Sequence, residues 1–313
     1  MATDLTLDAI RDAGKAGVAR ALAAVERRDG AIRQAALLDA ALRDPKGLVL
    51  GLTGPPGVGK STLTNVLIAD ARARGRSVAV IAVDPSSRRT MGALLGDRTR
   101  LRTNPDDDQV FVRSFAARDR LGGLSDSAIA ATVLMRALFD LVIVETVGIG
   151  QSEADIALVA DTVVLCVQPG SGDSLQFMKA GVMELPDVVA VTKADLGAPA
   201  KRARADVEGA LSLAAEFSDW HPRVLTLSAT TASGLEALHA AVDEHQAWLA
   251  EEGRLAHRRR EQEEAWVVDA VRDRFGTAGL ALWSTIDRGA AAASPFRRIA
   301  EASATLGSKL DPG

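Results

Sequence analysis

The run Leu48-Val49-Leu50-Gly51-Leu52-Thr53 passes without a break into Gly54-Pro55-Pro56-Gly57-Val58-Gly59-Lys60-Ser61-Thr62. Positions 54 to 61 fit G-x-x-x-x-G-K-[ST] in full. An apolar strand precedes them, and a helical pattern, Lys60–Arg74 closed by Gly75, follows. A glycine-rich turn between a buried strand and a helix lets backbone N–H groups converge on phosphate oxygens. The helix N-terminus adds its positive end. Gly54, Gly57, Val58 and Gly59 would wrap the phosphates, and Thr62 carries the loop into the helix. Lys60 would reach the β- and γ-phosphates, and the Ser61 hydroxyl would bind Mg²⁺. A chance Gly/Pro turn before a helix is the plain alternative, and the strand–loop–helix context argues against it.

The chain from residue 48 onward has the rhythm that such a loop needs. Short β-rich runs at Ser77–Val83, Val110–Val112, Leu141–Glu145, Thr162–Val167, Val188–Thr192 and Val224–Ser228 alternate with helical stretches such as Asp126–Phe139. Several runs are apolar at successive positions, as in strands covered on both faces. The pattern predicts an α/β fold with a mostly parallel sheet. Residues 1–44 read as helical, broken at Gly30 and closed by Asp44-Pro45-Lys46-Gly47. Past Gly234 the strand pattern stops. Gly234–Ala250, Arg254–Glu264 and the face Trp266, Val267, Val271, Phe275 are helical, and Ser294-Pro295 opens a last helix. The expected organisation is a helical N-terminal extension (1–45), a phosphate-loop domain (46–250) and a helical C-terminal arm (251–313).

Three acidic residues are candidates for the metal, which takes a few carboxylates, a hydroxyl and retained waters. Glu145 ends the strand Leu141-Val142-Ile143-Val144, where many phosphate-loop GTPases carry Asp. It is followed by Thr146-Val147-Gly148, so the Gly148 N–H could meet a γ-phosphate. Asp84 ends another apolar strand at the carboxyl edge of the sheet, where ligands bind, although Asp84-Pro85-Ser86-Ser87 also makes an ordinary turn. Asp97 lies outside the strand pattern. The base is read from Thr192-Lys193-Ala194-Asp195, which follows the strand Val188–Val191. The Asp195 carboxylate can accept from N1–H and the exocyclic amine of guanine, a pattern that adenine does not offer. The stem of Lys193 could cover the base face, and the Ser228-Ala229 loop could offer a backbone N–H to guanine O6. Asn-Lys-x-Asp would be the fuller form, its Asn bracing neighbouring loops; here Thr192 stands in that place.

Composition narrows the remaining classes. The chain has 313 residues, 47% hydrophobic and 25% charged, with a net charge of −4. It therefore lacks the general basic field expected of a non-specific nucleic-acid binder. No apolar stretch approaches the ~20 residues of a membrane span. A cytoplasmic protein is expected. The single cysteine, Cys166, reads as a small buried hydrophobe, and the four histidines show no metal-ligand spacing. Arg254 and Arg258-Arg259-Arg260, followed by Glu261, Glu263 and Glu264, read as a salt-bridged exposed helix. Trp248, Trp266 and Trp283 are expected to pack the arm or a dimer contact.

Taken together, the sequence resembles the MeaB/MMAA (ArgK-type) GTPases. The resemblance rests on Gly54–Thr62, Val83-Asp84-Pro85-Ser86-Ser87-Arg88-Arg89-Thr90, Leu95-Gly96-Asp97-Arg98-Thr99-Arg100 and Leu121-Gly122-Gly123-Leu124. It continues through Glu145-Thr146-Val147-Gly148-Ile149-Gly150-Gln151-Ser152-Glu153 and Pro169-Gly170-Ser171-Gly172-Asp173-Ser174-Leu175-Gln176. It implies a GTPase chaperone that gates adenosylcobalamin delivery to an acyl-CoA mutase and protects it. The client would be a methylmalonyl-CoA, isobutyryl-CoA or 2-hydroxyisobutyryl-CoA mutase. Carried over by position, Lys60 and Ser61 serve the phosphates and metal, and Asp84 and Glu145 surround Mg²⁺. Asp97 becomes the catalytic-side carboxylate of a closing switch. Gln168–Lys179 matches the family's third switch, and the C-terminal helices match a homodimer arm. Thr192 in place of Asn departs from the family pattern.

Rival readings are an ATP-dependent small-molecule kinase, opposed by Lys193 and Asp195, and a metallochaperone GTPase, which would call for Cys-x-x-Cys or a His-rich segment. A dimeric module holding GTP without turnover is the third.

Overall fold

The computed structural model describes residues 6–27, 31–84, 101, 103–116, 124–146, 155–170, 185–214, 219–286 and 293–310. Seven strands form one sheet: β1 (Leu48–Thr53), β2 (Val78–Asp84), β3 (Val110–Ala116), β4 (Leu141–Thr146), β5 (Thr162–Val167), β6 (Val188–Val191) and β7 (Arg223–Thr226). Their order is β3-β2-β4-β1-β5-β6-β7, and every neighbouring pair is parallel. The carboxyl ends of all seven therefore lie along one edge, and the order reverses at β1, where ligands bind in sheets of this kind.

Alternate residues of the apolar runs feed opposite layers, as the period of two requires. Val49, Ile81, Val142, Val144 and Val163 pack against α5 (Asp126–Leu138) and the N-terminal helices α1 (Leu7–Asp12), α2 (Gly14–Arg27) and α3 (Ala31–Arg43). Leu50, Leu52, Val80, Ile143, Val164 and Cys166 pack against α4 (Lys60–Ala73) and α7 (Leu235–Ala250). Toward β6 and β7, α6 (Ala198–Ala214) covers Leu165, Val167, Val189 and Val191. The N-terminal helices thus share the core of the sheet on one face. Burial pushes the Cys166 thiol up to about 12, which keeps it a neutral hydrophobe.

The C-terminal region is α8 (Arg254–Ile286), kinked at Gly276, and α9 (Pro295–Leu310). Here the arginine run differs from its expected role. Arg258 pairs through both terminal nitrogens with Asp187, and Arg259 through Nε and Nη2 with Asp161, at 2.8–3.0 Å. Both carboxylates sit where a strand begins, and both also accept from backbone. Val49 N–H donates to Asp161 Oδ2 at 2.9 Å, and Val163 N–H donates to Asp187 Oδ2 at 2.7 Å. The run is therefore a clamp on the amino edge of the sheet, because helical spacing puts adjacent guanidiniums within reach of adjacent strands. Arg254, paired with Glu251 and Glu252, forms local surface ion pairs as expected. Further along α8, Gln262 donates to Ala157 O and Ala160 O, and Trp266 Nε1 donates to Leu158 O at 2.8 Å.

The tryptophans also divide. Trp283 packs among the C-terminal helices, Trp266 joins the core shared by the sheet, α5 and the N-terminal helices with Phe296 against it, and Trp248 sits on α7 in a cluster with Trp220 and His245.

Candidate active site

The loop between β1 and α4 is shaped by its glycines. Gly54 has φ +134°, and a Cβ there would lie 2.1 Å from Cys166 O, so the loop can start only where a side chain is missing. Gly59 takes the N-cap of α4 at φ +105° with no side-chain cap, which leaves the first-turn N–H groups for an anionic ligand. Lys60 is buried, and its Nζ donates to Gly54 O at 2.6 Å and Pro55 O at 3.0 Å. The ammonium is thus held inside the curve of the loop. Val58 is fully buried beneath it, and Ser61 and Thr62 follow on the first turn of α4.

The parallel register brings the strand ends to this loop. Leu52 on β1 is level with Glu145 on β4, and Glu145 is level with Ala82 on β2, so Asp84 ends β2 just beyond Thr146. Glu145 is 5% exposed and is grasped by two hydroxyls of α4. Ser61 Oγ donates to its Oε1 at 2.6 Å, and Thr64 Oγ1 donates to its Oε2 at 2.8 Å. Below them Thr146 Oγ1 donates to Thr53 Oγ1 at 3.0 Å, tying β4 to the end of β1. The two hydroxyls offset part of the cost of burying the carboxylate. Of the other predicted residues, Asp84 is placed by its backbone alone, and Asp97 and Gly148 lie outside the described residues.

The base-reading segment leaves the next strands on the same edge. Thr192 is buried, and its Oγ1 lies 2.7 Å from Val58 O and 3.0 Å from Val167 O. Lys193 adopts a left-handed conformation at φ 56° and ψ 41°, and its Nζ donates to Gln168 Oε1 at 2.5 Å. Asp195 follows in an exposed 3-10 turn. Ala194 N–H donates to Leu227 O, bringing the loop after β7 alongside, while Ser228 N–H is spent on Ser233 O. Of the two residues expected at this loop, Ala229 alone does not have its N–H in that bridge. Along the carboxyl edge of the sheet, Glu145 on β4 lies next to the phosphate loop after β1, and beyond β5 come Lys193 and Asp195 after β6 and Ala229 after β7.

Sequence reasoning missed Thr64, the Lys193–Gln168 contact and the Thr53–Thr146 pair. Thr64 left a faint signal: it lies on the face of α4 that also buries Leu67, Ile68 and Ala71, where a hydroxyl is out of place unless it has a partner. Gln168 was read only as the start of the third-switch stretch, and nothing in the sequence paired it with Lys193.

A family profile described as "Methylmalonyl Co-A mutase-associated GTPase MeaB" matches residues 18–281. A Mycobacterium tuberculosis protein named "Probable GTPase" is 40% identical over 273 residues, 85% of this chain and 81% of that protein. The mouse "Methylmalonic aciduria type A homolog, mitochondrial" is 36% identical over 228 residues, 72% of this chain and 55% of that protein. Among solved structures, one described as "Crystal structure of LAO/AO transport system kinase" superposes with a TM-score of 0.68 at 28% identity, covering 96% of each chain.

Proposed function

Because the chain belongs to the MeaB family of methylmalonyl-CoA mutase-associated GTPases, we propose that its GTP hydrolysis gates adenosylcobalamin delivery to, and protects, a cobalamin-dependent acyl-CoA mutase. The observation that carries the chemistry is the buried Ser61–Glu145–Thr64 clasp beside Lys60. The mouse relative's name supports the client class. The client is one of the methylmalonyl-CoA, isobutyryl-CoA or 2-hydroxyisobutyryl-CoA mutases.

The donors at the clasp are a hydroxyl and a carboxylate, hard oxygens that suit Mg²⁺, and they stand at the mouth of the phosphate loop. Bound magnesium neutralises charge on the β- and γ-phosphates. Ser61 can keep its hydrogen bond to Glu145 while its lone pairs would be available to the metal, and Asp84 and Asp97 would complete the carboxylate set. Lys60 moves its donors from the loop carbonyls to the β- and γ-phosphates, and loop N–H groups together with Gly148 hold the terminal phosphate. Lys193 covers the base, and Asp195 accepts from its N1–H and exocyclic amine. No strong base is needed, since hydrolysis of this kind is governed by positioning and charge. Basal turnover is slow and rises when the client brings Asp97 to the attacking water.

The N-terminal helices (1–45) and the C-terminal arm (251–313) flank the GTPase domain, and the arm serves a homodimer in the cytoplasm. Among the described residues no helix is long and apolar enough to cross a membrane.

Steady-state GTP hydrolysis, alone and with the mutase of the same organism, tests the proposal. Stimulation by the mutase is expected. Slow hydrolysis without stimulation removes the client. The likeness to the transport-system kinase structure favours an ATP-dependent kinase as second reading, which tighter binding of ATP than GTP would establish.

A further inference from the structure

The carboxylate of Glu145 is held at both oxygens by one helix face. Ser61 and Thr64 lie one turn apart on α4, and their hydroxyls reach Oε1 and Oε2 at 2.6 and 2.8 Å. Thr64 is fully buried, and its Oγ1 also lies 3.1 Å from Lys60 O. A single hydroxyl proton serves one acceptor best, and the shorter, charged contact takes it.

We propose that Thr64 is a positioning residue for the magnesium site: it fixes Glu145 Oε2 so that Oε1 and the Ser61 oxygen are presented together to the metal. The inference rests on the GTPase reading and extends it to a residue outside the phosphate-loop motif. A glutamate has one more rotatable bond than the aspartate commonly found at this strand end, and each hydrogen bond to its carboxylate reduces the rotation open to it. A second donor from the same helix reduces it further. Because Ser61 and Thr64 share the first turns of α4 with Lys60, the carboxylate is held by the same helix that carries the lysine.

Two substitutions separate this from a packing role. Thr64→Val keeps the shape and deletes the donor, and Thr64→Ser keeps the donor. The probe is release of mant-GDP from the full chain, followed against MgCl₂ concentration and in EDTA. Thr64→Val is expected to need about tenfold more Mg²⁺ for half-maximal slowing of release, the loss of one hydrogen bond to a charged group. Its affinity for mant-GDP in EDTA should stay within about twofold of the wild type, and Thr64→Ser should recover the Mg²⁺ midpoint to within about threefold. An unchanged midpoint in Thr64→Val, or an equal loss of affinity in EDTA, overturns the proposal. Should Thr64→Val not fold, Thr64→Ala set against Thr64→Ser makes the same comparison. A wild type whose release ignores Mg²⁺ rejects the GTPase site itself, and this inference with it.

Discussion

Thr192 Oγ1 lies 2.7 Å from the backbone oxygen of Val58, so the loop after β6 holds the phosphate loop across 134 residues of chain. An Asn is the usual residue at this place, and its amide braces neighbouring loops. The threonine does the same with one hydroxyl, donating toward Val58 O and Val167 O from a position that is 4% exposed. What the sequence presents as a departure is, in the fold, a shorter brace of the same kind.

Thr192→Val should therefore weaken GDP binding by about tenfold, since Val58 O loses a buried donor while Val167 O keeps the Thr192 N–H. Thr192→Ser should bind nearly as the wild type does. Equilibrium titration with mant-GDP measures both, and equal affinity of the valine variant would remove the brace from the account.

Ser61→Ala leaves Glu145 Oε1 buried without its 2.6 Å donor and takes one oxygen from the metal. Single-turnover GTP hydrolysis should slow by about a hundredfold, in the range found when one preorganised contact to a reacting group is lost. A loss of less than a few-fold would place the metal elsewhere.

Asp195→Asn replaces an acceptor pair with one acceptor and one donor. Preference for GTP over ATP, read as the ratio of their binding constants, should fall by about ten- to a hundredfold. An unaltered ratio would assign the base to other residues.

His245 is fully buried, with Nδ1 3.0 Å from Thr162 Oγ1 and Nε2 3.2 Å from Asp187 Oδ1. Burial pulls its pKa down to about 4, and Arg258 adds to the fall while Asp187 and Asp161 oppose it. The folded chain thus resists a proton that the unfolded chain accepts near pH 6.5. Its contribution is intact above that value and is lost as pH falls toward 4, by about 3 kcal/mol in full. Urea unfolding free energies across pH 4–6.5 should be steeper for the wild type than for His245→Gln, and equal slopes would refute the assignment.

Asp161 is fully buried, between Arg259 and the N–H of Val49. Asp161→Asn should destabilise by about 3 kcal/mol, because the guanidinium keeps its desolvation without its counter-charge. Arg259→Leu with Asp161→Asn should recover part of that. Additive losses in the double variant would show that the two do not act as a pair.

Much of this was legible along the chain. The strand runs, the phosphate loop and the T-K-A-D segment were each visible because their residues are contiguous. The helix boundaries moved by a few residues, and β3 runs on to Ala116 where the apolar pattern fades at Val112. The half-covered strand β3 explains that difference, since an edge position tolerates Arg113 and Ser114 in its ladder. The arginine run on α8 was legible as charge but not as a clamp, because its partners Asp161 and Asp187 lie 98 and 71 residues away.

By itself the sequence determined that a strand, a glycine loop and a helix would form a phosphate cradle, since the backbone there does the binding and its conformation follows from local residues. Only the tertiary structure decided that Glu145 would meet both Ser61 and Thr64, that Thr192 would brace Val58, and that α8 would lock onto β5 and β6. Those contacts depend on strand order and register. Apolar runs specify that a strand is buried on both faces, and they leave open which strand lies beside it.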